Sequence, residues 1–202
     1  MNKIKNPSNL KNIDMKFSLL VIVLIVWCTF LCIIATFTQL KIFIPVDGKL
    51  KVISYIPQIP AVLFIAGLLG KRYGTISIVL YIITGLFFVP IFAHGGGLEY
   101  ILNMNFGYIL SFVPAVFFTS KILEKKVSFL TVFFANFIGL LIIHFIGIIY
   151  LSAILLITKE SFQTVVLWIS NQSLNNLFID FIFGFVGISF GCFLKHIFKK
   201  YA

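Results

Sequence analysis

The chain has 202 residues, of which 60% are hydrophobic and 11% charged, with a formal net charge of +10 and a mean hydropathy of +1.11. Such a composition excludes a soluble domain with its own core and points to an integral membrane protein. The positive charge then carries topology, because no soluble segment joins a basic patch to interleaved aromatics as a nucleic-acid surface would.

Residues 1–16 are polar and read as a cytoplasmic N-terminal segment, with 17–202 as a single membrane domain. Charge-free runs cover 17–40, 52–70, 73–98, 100–120, 127–158 and, apart from Asp180, 161–194. A spanning helix needs about 20 apolar residues, so the fold class expected is all-α with six transmembrane helices. The first run is too long for the apolar core of a cleavable signal, and no A-x-A-type site follows it. Within it, Cys28, Cys32 and Thr36 recur at the small-xxx-small spacing that lets helices approach closely. The loop from Lys41 to Lys49 alternates in a way that permits a hairpin or a re-entrant segment.

The second span opens at Pro57-Gln58-Ile59-Pro60, where proline suits a first helical turn. It ends near Gly70-Lys71-Arg72. The third covers 74–92 and leads into Gly95-Gly96-Gly97. The fourth covers 100–120, with a kink predicted at Pro114. The fifth, 131–155, holds Asn136, Gly139, His144 and Gly147. Residues 159–175 read as an outer or interfacial segment, a setting that suits Trp168.

With the N-terminus inside, twelve lysines and arginines fall on the inner side and Lys41, Lys49, Lys51 and Lys159 on the outer. The positive-inside rule therefore places both termini in the cytoplasm. The residues with chemical promise then lie outside: 41–60, 94–108 and 171–180.

Asp180 is the strongest of these. Fourteen uncharged residues separate it from Lys195 and nineteen from Glu160. A carboxylate at membrane depth costs about 2.5–3.5 kcal/mol on insertion scales and reads as functional by default. Gln172, Asn176 and Asp180 follow i, i+4, i+8 spacing on one helical face, which Gly184, Gly187 and Gly191 continue as a packing stripe. Asn103 and Asn105 offer amide donors and acceptors to the same polar ligand head, or cap the fourth helix. Tyr108 is read either as a ligand contact or as a belt tyrosine. His144 has no acidic partner in its own helix and is read as a satisfied core histidine, and Asn136 as an interhelical hydrogen-bonding residue.

The cysteines lack metal-site spacing, so no metal or cofactor is expected. An intramembrane enzyme would need paired acids, a Ser/His pair or a His-Glu metal motif, and a channel would need polar rings on several helices. Neither pattern is present. The chain carries no phosphate-binding P-loop, so ATP-driven work would need partners.

The stretches Ala61–Gly74, Leu80–Gly97 (a tyrosine, then P-I-F-A-H-G-G-G) and Asn105-Phe-Gly-Tyr108, together with Ile42–Pro45, Gly147–Tyr150 and the late Asp180, resemble the BioY family. BioY proteins are the biotin-specific S components of energy-coupling factor (ECF) transporters. The resemblance implies a multi-pass plasma-membrane protein that captures biotin or a related small molecule from outside, with Gly95–Gly97 as a closing loop. It implies a transmembrane T component and two cytoplasmic ATPases as partners, besides membrane lipid. It also implies a substrate site on Asp180, Asn105, Asn103, Tyr108, Gln58 and Asn176. The chain departs from the family at Phe183, where a lysine is usual three residues after the acid, and at 57–60, where Gln58 is displaced by about one position. Lys41 and Lys49 read as solvated loop charges rather than replacements. An S component for a different vitamin is the nearest alternative.

Overall fold

The computed structural model describes residues 7–46, 49–124 and 126–201. In chain order it contains α1 (Pro7–Phe37), β1 (Leu40–Val46), β2 (Lys49–Tyr55), α2 (Gln58–Phe87), α3 (Phe106–Leu123), α4 (Phe129–Ile157), α5 (Phe162–Ile169) and α6 (Leu177–Tyr201). A short 3-10 turn, Leu98–Leu102, precedes α3, and a π-helical turn, Ser170–Leu174, joins α5 to α6.

Among the described residues, five segments are long and apolar enough to cross a membrane: 19–37, 58–87, 106–123, 129–157 and 162–198. The difference from the six predicted spans lies in α2. This element is 30 residues long, yet Gly70 inside it has φ 74° and ψ −173°. In a straight helix Gln58 and Tyr81 would be about 35 Å apart along the axis. Here the Gln58 amide nitrogen donates to the Tyr81 hydroxyl at 2.9 Å. The chain thus reverses at Gly70, and arms 58–69 and 71–87 run side by side. The left-handed φ is the reason for glycine at that apex.

Two other expectations change. The chain is mostly helical rather than all-α, because 40–55 forms an antiparallel hairpin from Leu40↔Tyr55 to Val46↔Lys49. The fourth helix begins at Phe106 instead of near residue 100, since 98–102 coils as a tighter turn ahead of it.

The apolar exterior suits lipid. Trp27, Phe30, Phe88, Phe145 and Phe178 are all more than half exposed, and such a surface is stable only against hydrocarbon. Inside, polar side chains bridge helices. Thr36 and Tyr81 share a 3.1 Å hydrogen bond, Ser120 donates to the Ala66 carbonyl at 2.9 Å, and Asn136 donates to the Phe181 carbonyl at 2.9 Å. The last is the interhelical role expected of Asn136. Cys28 and Cys32 are buried in the apolar core.

The α2–α6 contact is made by backbone. A methyl at Gly67 would meet the Ile188 carbonyl, and one at Gly191 would meet the Phe64 carbonyl and the Leu68 nitrogen. This is the packing role expected of the glycine stripe. Lys71 and Lys195 lie at this end of the bundle. Lys71 pairs with Glu124 at 3.1 Å, and the Lys195 ammonium reaches the Gly70 apex.

Candidate functional site

At the opposite end a cavity of about 280 Å³ opens between β2, α2, α3 and the α5–α6 segment. That volume is near the lower edge of small-molecule sites. Three short-range devices shape it.

The first is a reciprocal glycine–tyrosine pair. A methyl at Gly147 on α4 would strike the Tyr108 ring, and one at Gly107 on α3 would strike the Tyr150 ring. Each tyrosine therefore lies flat on the facing helix, and Tyr150 reaches across to donate to the Ile101 carbonyl. This fixes the entry of α3, so Tyr108, Ile109 and Phe112 line one wall.

The second is the loop after α2. Phe92 and Gly95 exchange two main-chain hydrogen bonds, and the Gly97 N–H donates to the Gly85 carbonyl at 2.8 Å. Gly95 and Gly97 sit at φ 127° and 84°, and a methyl at Gly96 would meet Pro90 and the Gly85 carbonyl. Conformation at two positions and space at the third explain the triplet. The glycines themselves stand outside the lining, which takes Ala93 and His94 from this loop.

The third is the π-helical turn. It widens the chain ahead of α6 and turns Asn171, Gln172 and Asn176 toward the cavity with Asp180. The polar stripe expected on one α-helix is delivered by a turn and a helix start instead.

Asp180 is 2% exposed. The Tyr55 hydroxyl donates to its Oδ1 at 2.5 Å. Burial, with Asp180 beside it, pushes the Tyr55 phenol far above the ordinary tyrosine range, so Tyr55 stays protonated and is the donor. Across the carboxylate, Nε2 of His144 stands 3.8 Å from Oδ2. Nδ1 of His144 lies 3.0 Å from the Ser173 hydroxyl, which lies 2.7 Å from the Tyr108 hydroxyl. His144 is thus a buried core histidine satisfied at Nδ1, with Nε2 left unbonded beside the carboxylate. Its partners come from α6 and the π-helical turn, where sequence spacing gave no sign of them.

Of the residues expected at the site, Asp180, Asn105, Tyr108, Gln58 and Asn176 line this one cavity. Asn105 keeps its Oδ1 buried and without a partner. Gln58 spends its amide nitrogen on Thr36 and Tyr81, at 3.0 and 2.9 Å. Asn103 stays outside the lining. Its Oδ1 accepts from the Asn105 N–H at 2.9 Å, which fixes the turn into α3. Phe183 also stays outside, with its ring 5.7 Å from that of Tyr55. Sequence reasoning missed Tyr55 and Ser173. The alternation of 49–55 carried a weak signal for the first, and the polar run 170–176 for the second. Among the described residues, the lining holds no lysine or arginine. Among the described residues, no group of three or more His, Cys, Asp or Glu side chains gathers to hold a metal.

Comparison with known proteins agrees with this architecture. The family model described as "BioY family" matches residues 8–189. A probable biotin transporter BioY of Lysinibacillus sphaericus is 34% identical over 119 residues, covering 58% of this chain and 60% of the relative. The biotin transporter BioY of Thermotoga maritima is 32% identical over 96 residues, covering 47% of this chain and 57% of the relative. The chain thus spans about 60% or less of the length of these relatives. A crystal structure of the S-component for biotin from an ECF-type ABC transporter shares the fold. Its TM-score is 0.67 at 22% identity, over 96% of this chain and 95% of that one.

Proposed function

The chain belongs to the BioY family, matched over residues 8–189, and from that premise we propose that it is a biotin-capturing S component of an ECF-type uptake transporter. The observation that carries this reading is a buried carboxylate, Asp180, in the wall of a small cavity whose other polar groups among the described residues are amides, phenols, the Ser54 hydroxyl and the His94 imidazole. A planar cyclic urea presents two N–H donors and one carbonyl. An ionised carboxylate accepts both donors, and charge assistance roughly doubles the strength of each bond. The unpartnered Asn105 Oδ1 is a further acceptor in the same wall. Tyr108, Ile109 and Phe112 supply apolar surface for the remainder. Such a site rejects analogues lacking the donors, because the Asp180 lone pairs that Tyr55 leaves free would then stay buried and unmet.

Six crossings with both termini in the cytoplasm fit this function. The reversal at Gly70 supports the count, since it makes two antiparallel arms of α2. Orientation follows from Lys71, Arg72, Lys121 and Lys195 at one end and the cavity at the other. The cavity then faces outside, where a scarce solute is captured. Gly95–Gly97 serves as the gate: opening it breaks the Gly97–Gly85 bond and the two Phe92–Gly95 bonds. A T component and two ATPases supply the energy.

The test is calorimetry of biotin with the purified chain in detergent, beside Asp180→Asn and Asp180→Ala. Asn at 180 keeps an acceptor for Tyr55 but loses the charge and one acceptor. Tight binding by the parent chain, weakened about 100-fold or more in both variants, is the expected outcome. Equal affinity in a folded Asp180→Ala protein would remove Asp180 from the site. Failure of the folded parent chain to bind biotin while binding another vitamin would move the assignment to that ligand.

A further inference from the structure

We infer that His144 is a positioning residue for Asp180: Ser173 and Tyr108 hold its ring so that a protonated Nε2 faces Oδ2, which selects ligands with two donors over ligands with one. This rests on the proposed function insofar as it makes Asp180 the ligand acceptor.

The geometry runs through four elements. Tyr108 comes from α3, Ser173 from the π-helical turn, His144 from α4 and Asp180 from α6. Contacts of 2.7 and 3.0 Å join the first three, and a 3.8 Å gap separates Nε2 from the carboxylate. His144, Ser173 and Asp180 are all more than nine-tenths buried. Nε2 is also one of three buried side-chain atoms among the described residues that lack any hydrogen-bond partner.

The direction of the chain follows from charge. A bare Nε2 would point its lone pair at a carboxylate oxygen, an unfavourable contact in a medium that screens poorly. With the proton on Nε2, the contact is attractive. In the neutral ring Nδ1 is then an acceptor, which the Ser173 hydroxyl satisfies while itself accepting from the Tyr108 hydroxyl. Every group in the relay then has a role, and the one unused donor faces the one carboxylate.

This arrangement has a consequence for specificity. Tyr55 holds Oδ1 from one side and His144 faces Oδ2 from the other, so the carboxylate plane is fixed. Both oxygens then present their remaining lone pairs to the cavity at a set spacing. A ligand with two adjacent N–H groups meets both. A ligand with one of them methylated meets one oxygen and strands the other. Without His144 the carboxylate turns to follow whichever donor is present, and the distinction fades.

The test has two parts, on the full chain in detergent. The first is the nitrogen-15 spectrum of protein labelled at its three histidines, with His144 assigned by its loss in His144→Gln. A proton on Nε2 is expected, and Ser173→Ala should redistribute it toward Nδ1. A bare Nε2 in the parent chain overturns the inference whatever the ligand is. The second is calorimetry with biotin and with biotin methylated on one ureido nitrogen. His144→Leu should lower the affinity ratio between the two by about tenfold to a hundredfold, the range for one hydrogen bond to a charged group. His144→Gln, which restores a donor at similar reach, should recover most of that ratio. An unchanged ratio in a folded His144→Leu protein overturns the inference. Failure of the parent chain to bind biotin strikes the proposed function instead, and the histidine spectrum alone then decides this one.

Discussion

The two ends of α6 hold their neighbours by opposite means. At its start, Asp180 meets Tyr55 and His144 through side chains, and a cavity is left between the elements. Further along, Gly187 and Gly191 bring the backbone of α6 against that of α2 at Pro60, Phe64 and Leu68, with no space for a methyl. One helix, α6, thus meets β2 and α4 through polar side chains at its start and α2 through bare backbone further along. Dry backbone contact gains dispersion and rigidity but has nowhere to put a ligand. Polar spacers leave room and supply acceptors, at the cost of burying groups that must all be satisfied.

The sharpest break of that contrast is Asp180→Ala. It should abolish measurable biotin binding while leaving the helices packed, and circular dichroism beside calorimetry checks both halves. Next is Gly191→Ala, which drives a methyl into the Phe64 carbonyl and the Leu68 nitrogen. Overpacking of this kind costs about 1–3 kcal/mol, so the thermal midpoint should fall clearly, while the protein still folded binds biotin normally. Loss of affinity with unchanged stability would show that the two ends are not separable. Tyr55→Phe removes the donor to Oδ1, and stability should drop by the worth of a charge-assisted bond, about 1.5–3 kcal/mol. Protection of the 40–55 amides from hydrogen exchange should fall with it. Lys71→Ala is the smallest change. Its ion pair with Glu124 joins side chains 38% and 48% exposed, and such pairs contribute about 0–1 kcal/mol. Neither melting nor binding should move appreciably.

Legibility followed the range of the interaction that decides each feature. Hydropathy set the spans, because twenty apolar residues have one stable place in a bilayer. The reversal at Gly70 was readable as two spans from Gly70-Lys71-Arg72, although helical structure runs on both sides of it with one glycine between. The start of α3 was misplaced because 98–102 is apolar enough to read as helix, while its glycine-led entry coils it tighter. Asp180 stood out because a lone acid in an apolar run is costly wherever it packs. Asn103 and Asn105 looked equivalent on paper. They are not, because one amide folds back on the backbone of the other.

The surroundings of His144, and Ser173 itself, are the instructive misses. The two residues lie 36 and 7 residues from Asp180 in sequence, His144 on a different helix and Ser173 in a π-helical turn that breaks the α-helical register between the two. Only the docking of α4 on α3, through Tyr108 on Gly147 and Tyr150 on Gly107, together with the π-helical turn before α6, brings them to the carboxylate.

The sequence by itself determined the solvent, the number of apolar runs, the charge asymmetry and the one costly acid, since each depends on local transfer free energy. Tertiary structure alone decided which groups face that acid and which amides are already spent. It also left the position three residues after Asp180 against Tyr55 instead of in the cavity. Those outcomes depend on side chains meeting across helices, and chain spacing does not encode that register.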